Sequence, residues 1–249
     1  MTPSPNAPYE LYYWSGIQGR GEFVRLAFEA TGTDYVDVGR LPASTGAGDK
    51  AVAAILRDQP GQALPFAPPV LRHGPLLIAQ TAQILQYLGP RLQLVPSDEA
   101  SRLLANQVQL TVSDFLVEAH DVHHPVGVDL YYEDQKPESQ RRAENFLKNR
   151  APKYLGYFER VVGLNDDGAG VHAVGDALSY VDLSLFQVMS GMAYAFPRAT
   201  ARLAKALPRL VALRDAVAAQ PRVAAYLESK RRIPFNEHGI FRHYPELDA

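Results

Sequence analysis

Residues 67–85 read APPVLRHGPLLIAQTAQIL, and this stretch decides the fold. Two short apolar runs, 70–72 and 76–78, flank His73-Gly74-Pro75, the pattern of a tight hairpin. Gln80 and Thr81 then open an apolar-periodic run to Leu88, so the segment reads as strand, turn, strand, helix. Pro69, at the entry, is expected to follow a cis bond, a form found in roughly one in twenty X-Pro bonds of folded chains. Such a kink turns main-chain groups outward. Unpaired amides and the positive end of the dipole gather at the helix start, so Thr81 and its neighbours suit the carboxylate of a peptide-like ligand. The alternative is that Thr81 caps its own helix.

Upstream, residues 9–32 read YELYYWSGIQGRGEFVRLAFEATG. Residues 9–14 suit a strand, with Leu11 and Tyr13 on one face and Tyr12 on the other. Phe23, Leu26, Ala27 and Ala30 mark an amphipathic helix closed by Gly32, and residues 35–38 form a second strand. Strand, helix, strand implies a right-handed crossover and a parallel pair. A loop over 41–62 follows, with a short helix at 50–57. Pro90 and Pro96 make 90–97 a linker. Beyond it the patterning is helical over 100–122, 138–162, 181–196 and 210–227, with Pro125, Pro197 and Pro221 as breaks or starts. The expected architecture is α/β plus all-α: an N-terminal α/β domain over 8–89 and a helical domain over 98–249. Its tail carries Phe235, Phe241 and Tyr244, which are expected to pack on the globule.

These motifs resemble the soluble glutathione S-transferase family. In that family a thioredoxin-like domain holds glutathione with a cis-proline loop and a Gln-Ser or Gln-Thr pair. The tyrosine strand and glycine-arginine turn of residues 9–32 are similar to its tyrosine-type classes, nearest the sigma, alpha and mu patterns. Ser179-Tyr180-Val181-Asp182 is similar to the family's capping box and hydrophobic staple. The resemblance implies conjugation of glutathione, as co-substrate, to apolar electrophiles, and a homodimer. It implies that Pro68, Pro69, Gln80 and Thr81 hold glutathione and that Tyr13, assisted by Arg20, activates its thiol. Ser15 is the serine-type alternative, because the turn 15–20 is one residue longer than the common pattern. One departure concerns Pro68, since family members use both N–H and C=O of this residue and proline has no N–H.

The chemistry follows from the thiol. A free thiol titrates near roughly 8.5, and lowering that by two units requires about 2.7 kcal/mol in favour of the anion. A tyrosine hydroxyl and a nearby cation supply this by hydrogen bonding and field. With the fold alone not deciding activity, two other readings stand: a non-catalytic transferase-like binding or structural protein, and a glutathione-dependent peroxidase or isomerase.

Composition narrows the classes. Lys and Arg total 25 against 27 acidic residues, which leaves no basic field for nucleic acid or an anionic membrane. The run Lys230-Arg231-Arg232 reads as a solvated helix end. The chain has no cysteine, which excludes disulfides, thiolate metal sites and a cysteine nucleophile. No apolar stretch reaches the roughly eighteen residues of a membrane span and no leader pattern opens the chain, so a cytoplasmic location is expected. His120, His123 and His124 form a cluster in HDVHH. Pro125 ends the helix at once, however, and Asp114, Glu118 and Asp121 read as surface residues. The cluster is therefore expected to be a helix end facing an interdomain cleft, with His120 or Asp121 near a second substrate and no metal. Ser179 and Asp182 form a cap whose loss should cost about 1 kcal/mol.

Overall fold

A computed structural model describes residues 3–4, 7–57, 64–165 and 171–248. The chain divides into two compact units, Met1–Leu94 with Pro221–Ile233, and Val95–Gln220 with Pro234–Ala249.

The first unit is a four-stranded sheet in the order β2-β1-β3-β4. β1 (Tyr9–Tyr12) runs parallel to β2 (Tyr35–Asp37), with Tyr9 opposite Tyr35. It runs antiparallel to β3 (Val70–His73), with Leu11 opposite Leu71. β4 (Leu76–Ala79) returns along β3, making the hairpin the sequence predicts. The alternation at the end of β1 holds. Leu11 and Tyr13 pack with Val24, Phe28, Ile84 and Leu88 of α1 (Gly21–Thr31) and α3 (Thr81–Leu88). Tyr12 joins Val38, Val52, Ile55 and Val70 on the opposite face, beside α2 (Asp49–Ile55). Gly32 closes α1 in the left-handed region at φ 68°, which a side chain would disfavour. Of the loop expected over 41–62, residues 58–62 lie outside the described residues.

A polar network ties a later segment into this unit. Glu22 and Arg25, both in α1, are fully buried, and Arg25 Nε donates to Asp37 at 2.7 Å. Glu22 Oε1 accepts from the Tyr226 hydroxyl and from Arg232, each at 2.6 Å. Arg231 donates to Glu29 through two nitrogens, each at 2.9 Å, and Arg222 donates to the Thr31 carbonyl. The reading of residues 230–232 as a solvated end holds for Lys230 and Arg231, which are exposed, and is corrected for Arg232. Only 10% of the Arg232 side chain is exposed, because burying Glu22 requires a cation beside it.

The second unit is helical. Asp98 caps α4 (Glu99–His120), accepting from the Ser101 amide at 2.8 Å. The helix expected over 138–162 resolves into α5 (Lys136–Asn145), a wide turn at Phe146–Arg150 and α6 (Ala151–Leu164). The wide turn precedes Pro152, which cannot donate the regular helical bond. α7 (Tyr180–Ala195) is buried along most of its length and packs on α4 and α9 (Pro208–Ala219). α8 (Pro197–Ala204), α9 and α10 (Pro221–Glu228) each open on a proline, the first-turn position that needs no N–H. The break expected at Pro221 divides the run 210–227 into two helices, and α10 groups with the first unit.

The tail packs as expected. The Phe241 ring lies where a Cβ on Gly191 would sit, and Phe235 stacks on Tyr194 at 4.9 Å. Asp248 accepts from the amides of Arg198 and Ala199, capping α8.

The box at the start of α7 is complete. Ser179 Oγ accepts from the Asp182 amide at 3.3 Å, and Asp182 accepts from the Ser179 amide at 2.7 Å. Asp182 is fully buried and also accepts from the Ala173 amide at 2.7 Å, which places its loss above an exposed cap, at about 2 kcal/mol. His172 Nδ1 stands 3.3 Å from Asp182 Oδ2, an ion pair without hydrogen-bond alignment. That carboxylate raises the His172 pKa above its ordinary value. The resulting stability is complete below about pH 6.5, the value of an unfolded histidine, and is lost as pH rises through the higher folded value. Thermal melts of the parent and His172→Gln should differ most in mildly acidic buffer and converge in alkaline buffer. A constant difference across pH would remove the charge of His172 from the account.

Candidate ligand site

Three elements of the first unit bring Tyr13, Arg20 and Thr81 together. Tyr13 follows the last residue of β1 and is 5% exposed. Its hydroxyl accepts from the Arg20 amide at 2.8 Å, at the start of α1. The Arg20 carbonyl in turn accepts from the Thr81 hydroxyl at 3.5 Å, a long contact at the first residue of α3. One residue's main chain therefore joins the two halves of the motif read from the sequence.

Glycines make the close approach around Tyr13 feasible. A Cβ on Gly19 would lie 2.0 Å from the Tyr13 hydroxyl, and one on Gly21 would lie 2.5 Å from its ring. A Cβ on Gly39 would fall 1.9 Å from the Tyr13 carbonyl oxygen. Gly19 also holds φ at +44°. Burial raises the Tyr13 pKa above the ordinary value and outweighs the amide of Arg20 and the charges of Arg20 and Arg25, which pull it down. The phenol therefore keeps its proton at neutral pH, with its oxygen already bonded to the amide at the start of α1.

Ser15 is placed elsewhere. Its hydroxyl donates to Asp49 at 3.1 Å and its amide to the same carboxylate at 2.9 Å, at the first residue of α2. The aspartate holds the proton that a serine-type donor would offer a thiol.

The Pro68-Pro69 peptide is cis. Pro69 is buried and Pro68 partly so, directly ahead of β3. Gln80 occupies the cap of α3 with φ at 69°, and its side chain makes no capping bond. A non-glycine residue in this region costs of order 1–3 kcal/mol and persists where surrounding structure imposes it. Gln80 is exposed and Thr81 buried. The Thr81 hydroxyl turns to Arg20 rather than to its own helix, so the capping alternative is not what the structure shows. The first-turn amides of α3 have no acceptor within the helix and form the positive end of its dipole.

The histidines of HDVHH lie in the second unit. His120 ends α4, and the three ring centroids are 4.9–5.1 Å apart. Burial, and then the charge of Arg242, hold His123 neutral, with its pKa lowered to about 2. Glu118, read from sequence as a surface residue, accepts from Arg150 Nε at 2.9 Å and from the Tyr154 hydroxyl at 3.0 Å. The buried network at Glu22 and Arg25 was missed altogether. Two charged residues on the inward face of α1 are its one sequence signal.

The sheet order, the parallel first pair, the hairpin and the helical second unit define a thioredoxin-like unit joined to an all-helical one. Comparisons with known proteins agree. The sequence profile of the glutathione S-transferase C-terminal domain matches residues 120–230. A glutathione S-transferase of Plasmodium falciparum is 24% identical over 89% of this chain and 95% of its own length. S-crystallin SL11 of Nototodarus sloanii is 25% identical over 91% of this chain and 98% of its own. The pi-class glutathione S-transferase structure of Onchocerca volvulus superposes with a TM-score of 0.70 at 22% identity, covering 93% of this chain and 98% of that one. Along most of its length this chain is similar to cytosolic glutathione S-transferases. Among the described residues no helix is long and apolar enough to cross a membrane.

Proposed function

We propose that the protein is a tyrosine-type glutathione transferase that joins the sulfur of glutathione to apolar electrophiles. The observation that carries this reading is the Arg20 main chain, which accepts from Thr81 on one side and donates to Tyr13 on the other. A carboxylate held at Thr81 and the start of α3 would fix the peptide, and the Tyr13 O–H would donate to its sulfur. The thiolate attacks the electrophilic carbon, a C–S bond forms, the leaving group departs with the bonding pair, and the thiol proton passes to solvent. Arg20 contributes positive field at the start of α1. Glutathione is a co-substrate here and no metal takes part in the step. The protein acts in the cytoplasm as a homodimer, and light scattering at micromolar concentration should return twice the chain mass.

The similarity to an S-crystallin keeps a non-catalytic, transferase-like role as the second reading. Measuring thiol consumption with an aryl halide and, separately, with an organic hydroperoxide distinguishes the alternatives. Consumption with the halide supports the transferase, and consumption with the hydroperoxide alone supports a peroxidase. Glutathione binding without consumption in either supports the non-catalytic role.

Pro68 is the place where this chain should bind glutathione less firmly than its family pattern implies. Its carbonyl can accept, but it has no N–H to return to the cysteinyl backbone of the ligand. Replacing Pro68 by valine restores a donor and keeps the apolar character. One neutral hydrogen bond contributes roughly 0.5–1.5 kcal/mol, or about two- to tenfold in affinity. Titration calorimetry should show that gain, with melts of both proteins reporting any loss of loop rigidity. Equal or weaker binding at equal stability would mean that glutathione does not use this backbone edge.

A further inference from the structure

We propose that His120, His123 and His124 form a binding site for one divalent transition-metal ion of the zinc type, at the C-terminal end of α4. One ring nitrogen from each lies within 4.8 Å of the other two. Three imidazole nitrogens around a tetrahedral ion at about 2.0–2.1 Å stand about 3.3 Å apart, so small side-chain rotations close the set.

Two features of the cluster point to a ligand rather than to a chance grouping. His123 is 2% exposed, and its Nδ1 is buried without a hydrogen-bond partner. A buried acceptor of this kind costs free energy unless something fills it. In addition, each imidazole has a polar partner at one ring nitrogen. His123 Nε2 donates to the Ile240 carbonyl at 2.9 Å, His120 Nδ1 faces Asp121 at 3.3 Å, and His124 Nδ1 meets the Gln135 side-chain amide at 3.3 Å. Carbonyls and carboxylates behind imidazoles are the partners that fix tautomer and ring orientation in metal sites. The sequence groups these three histidines but, with Pro125 ending the helix at once, it led to the expectation of no metal.

Three imidazoles suit zinc, nickel or copper and leave a fourth position for water. Arg242, whose charge reaches His123 and His124, opposes a cation, and the Asp121 carboxylate favours one. Bonding His123 to Ile240 makes the tail part of the site, so an ion here would fasten residues 240–244 to the end of α4.

The test uses the full untagged chain, freed of metal by chelation and titrated with Co²⁺. The expected result is saturable binding of one equivalent with a visible ligand-field band, displaced by Zn²⁺ and accompanied by a higher melting temperature. His120→Gln and His124→Gln should each weaken binding by at least about tenfold. His238→Gln, at an exposed histidine outside the cluster, should leave it unchanged. Far-UV circular dichroism confirms that each variant is folded. The absence of a saturable one-to-one signal overturns the proposal. Equal affinity in the parent, His120→Gln and His124→Gln overturns it as well.

Discussion

Glu22→Ala is expected to destabilise the protein by about 3–5 kcal/mol, the cost of removing one partner from a buried ionic group. Three groups converge on this carboxylate. Arg25 approaches at 3.4 Å, while Arg232 and the Tyr226 hydroxyl bond it at 2.6 Å. Without it, Arg25, with no exposed surface, has only the Asp37 carboxylate to offset its charge. Domains of ordinary stability have about 5–15 kcal/mol in total, so the variant should unfold at a markedly lower urea concentration. Residues 221–233 should also become the preferred site of limited proteolysis, since two of their contacts to α1 end on Glu22. Glu22→Gln keeps an acceptor for Tyr226 and should fall between the two. A shift under 1 kcal/mol for Glu22→Ala would show that the arginines relax to solvent and that the network is not what holds α10.

The second large effect is catalytic. Tyr13→Phe should lower the conjugation rate at neutral pH by at least about tenfold, through loss of a bond to the thiolate worth about 1.5–3 kcal/mol. The ring remains in the core with Val24, Phe28 and Ile84, so the fold should survive. The Arg20 amide loses its acceptor, at about 1 kcal/mol of stability. Raising the pH toward the ordinary thiol value, roughly 8.5, should recover part of the rate, because thiolate then forms without help. Ser15→Ala should stay within about twofold of the parent, which is under 0.5 kcal/mol, since that hydroxyl is engaged by Asp49. Parental rates in a folded Tyr13→Phe protein would remove Tyr13 from the mechanism, and collapse of activity in Ser15→Ala would assign the role to the serine.

The parts legible in the sequence are those governed by local rules. Alternation placed Leu11 and Tyr13 opposite Tyr12, Gly32 marked the end of α1, and Ser179 with Asp182 marked the start of α7. Gln80-Thr81 located the start of α3, although nothing in the sequence indicated that Gln80 would adopt a positive φ. The remainder depends on contacts between residues far apart in the chain. Glu22 and Arg232 are 210 positions apart, and a charged pair on an apolar helix face gives no hint of which distant cation will join it. The same distance hid the grouping of residues 221–233 with the first unit. The grouping of His120, His123 and His124 was legible, but the burial of His123 and its bond to Ile240, 117 positions away, were not. Ser15 stood as the serine-type alternative to Tyr13, and its bond to Asp49, 34 positions away, is not marked in the sequence.

The glycines around Tyr13 give the site an uneven capacity to evolve. At Gly39 an added methyl group would meet the main chain of Tyr13, and backbone offers no alternative rotamer. At Gly19 and Gly21 it would displace the aromatic ring or its hydroxyl, so any gain elsewhere would first have to offset a misplaced phenol. Gly16, by contrast, has nothing within 4 Å of such a methyl group. Neutral drift and laboratory selection should therefore accumulate changes at the tip of the 15–20 turn while its base stays invariant, and a library that randomises the whole turn would spend most of its members on unproductive variants.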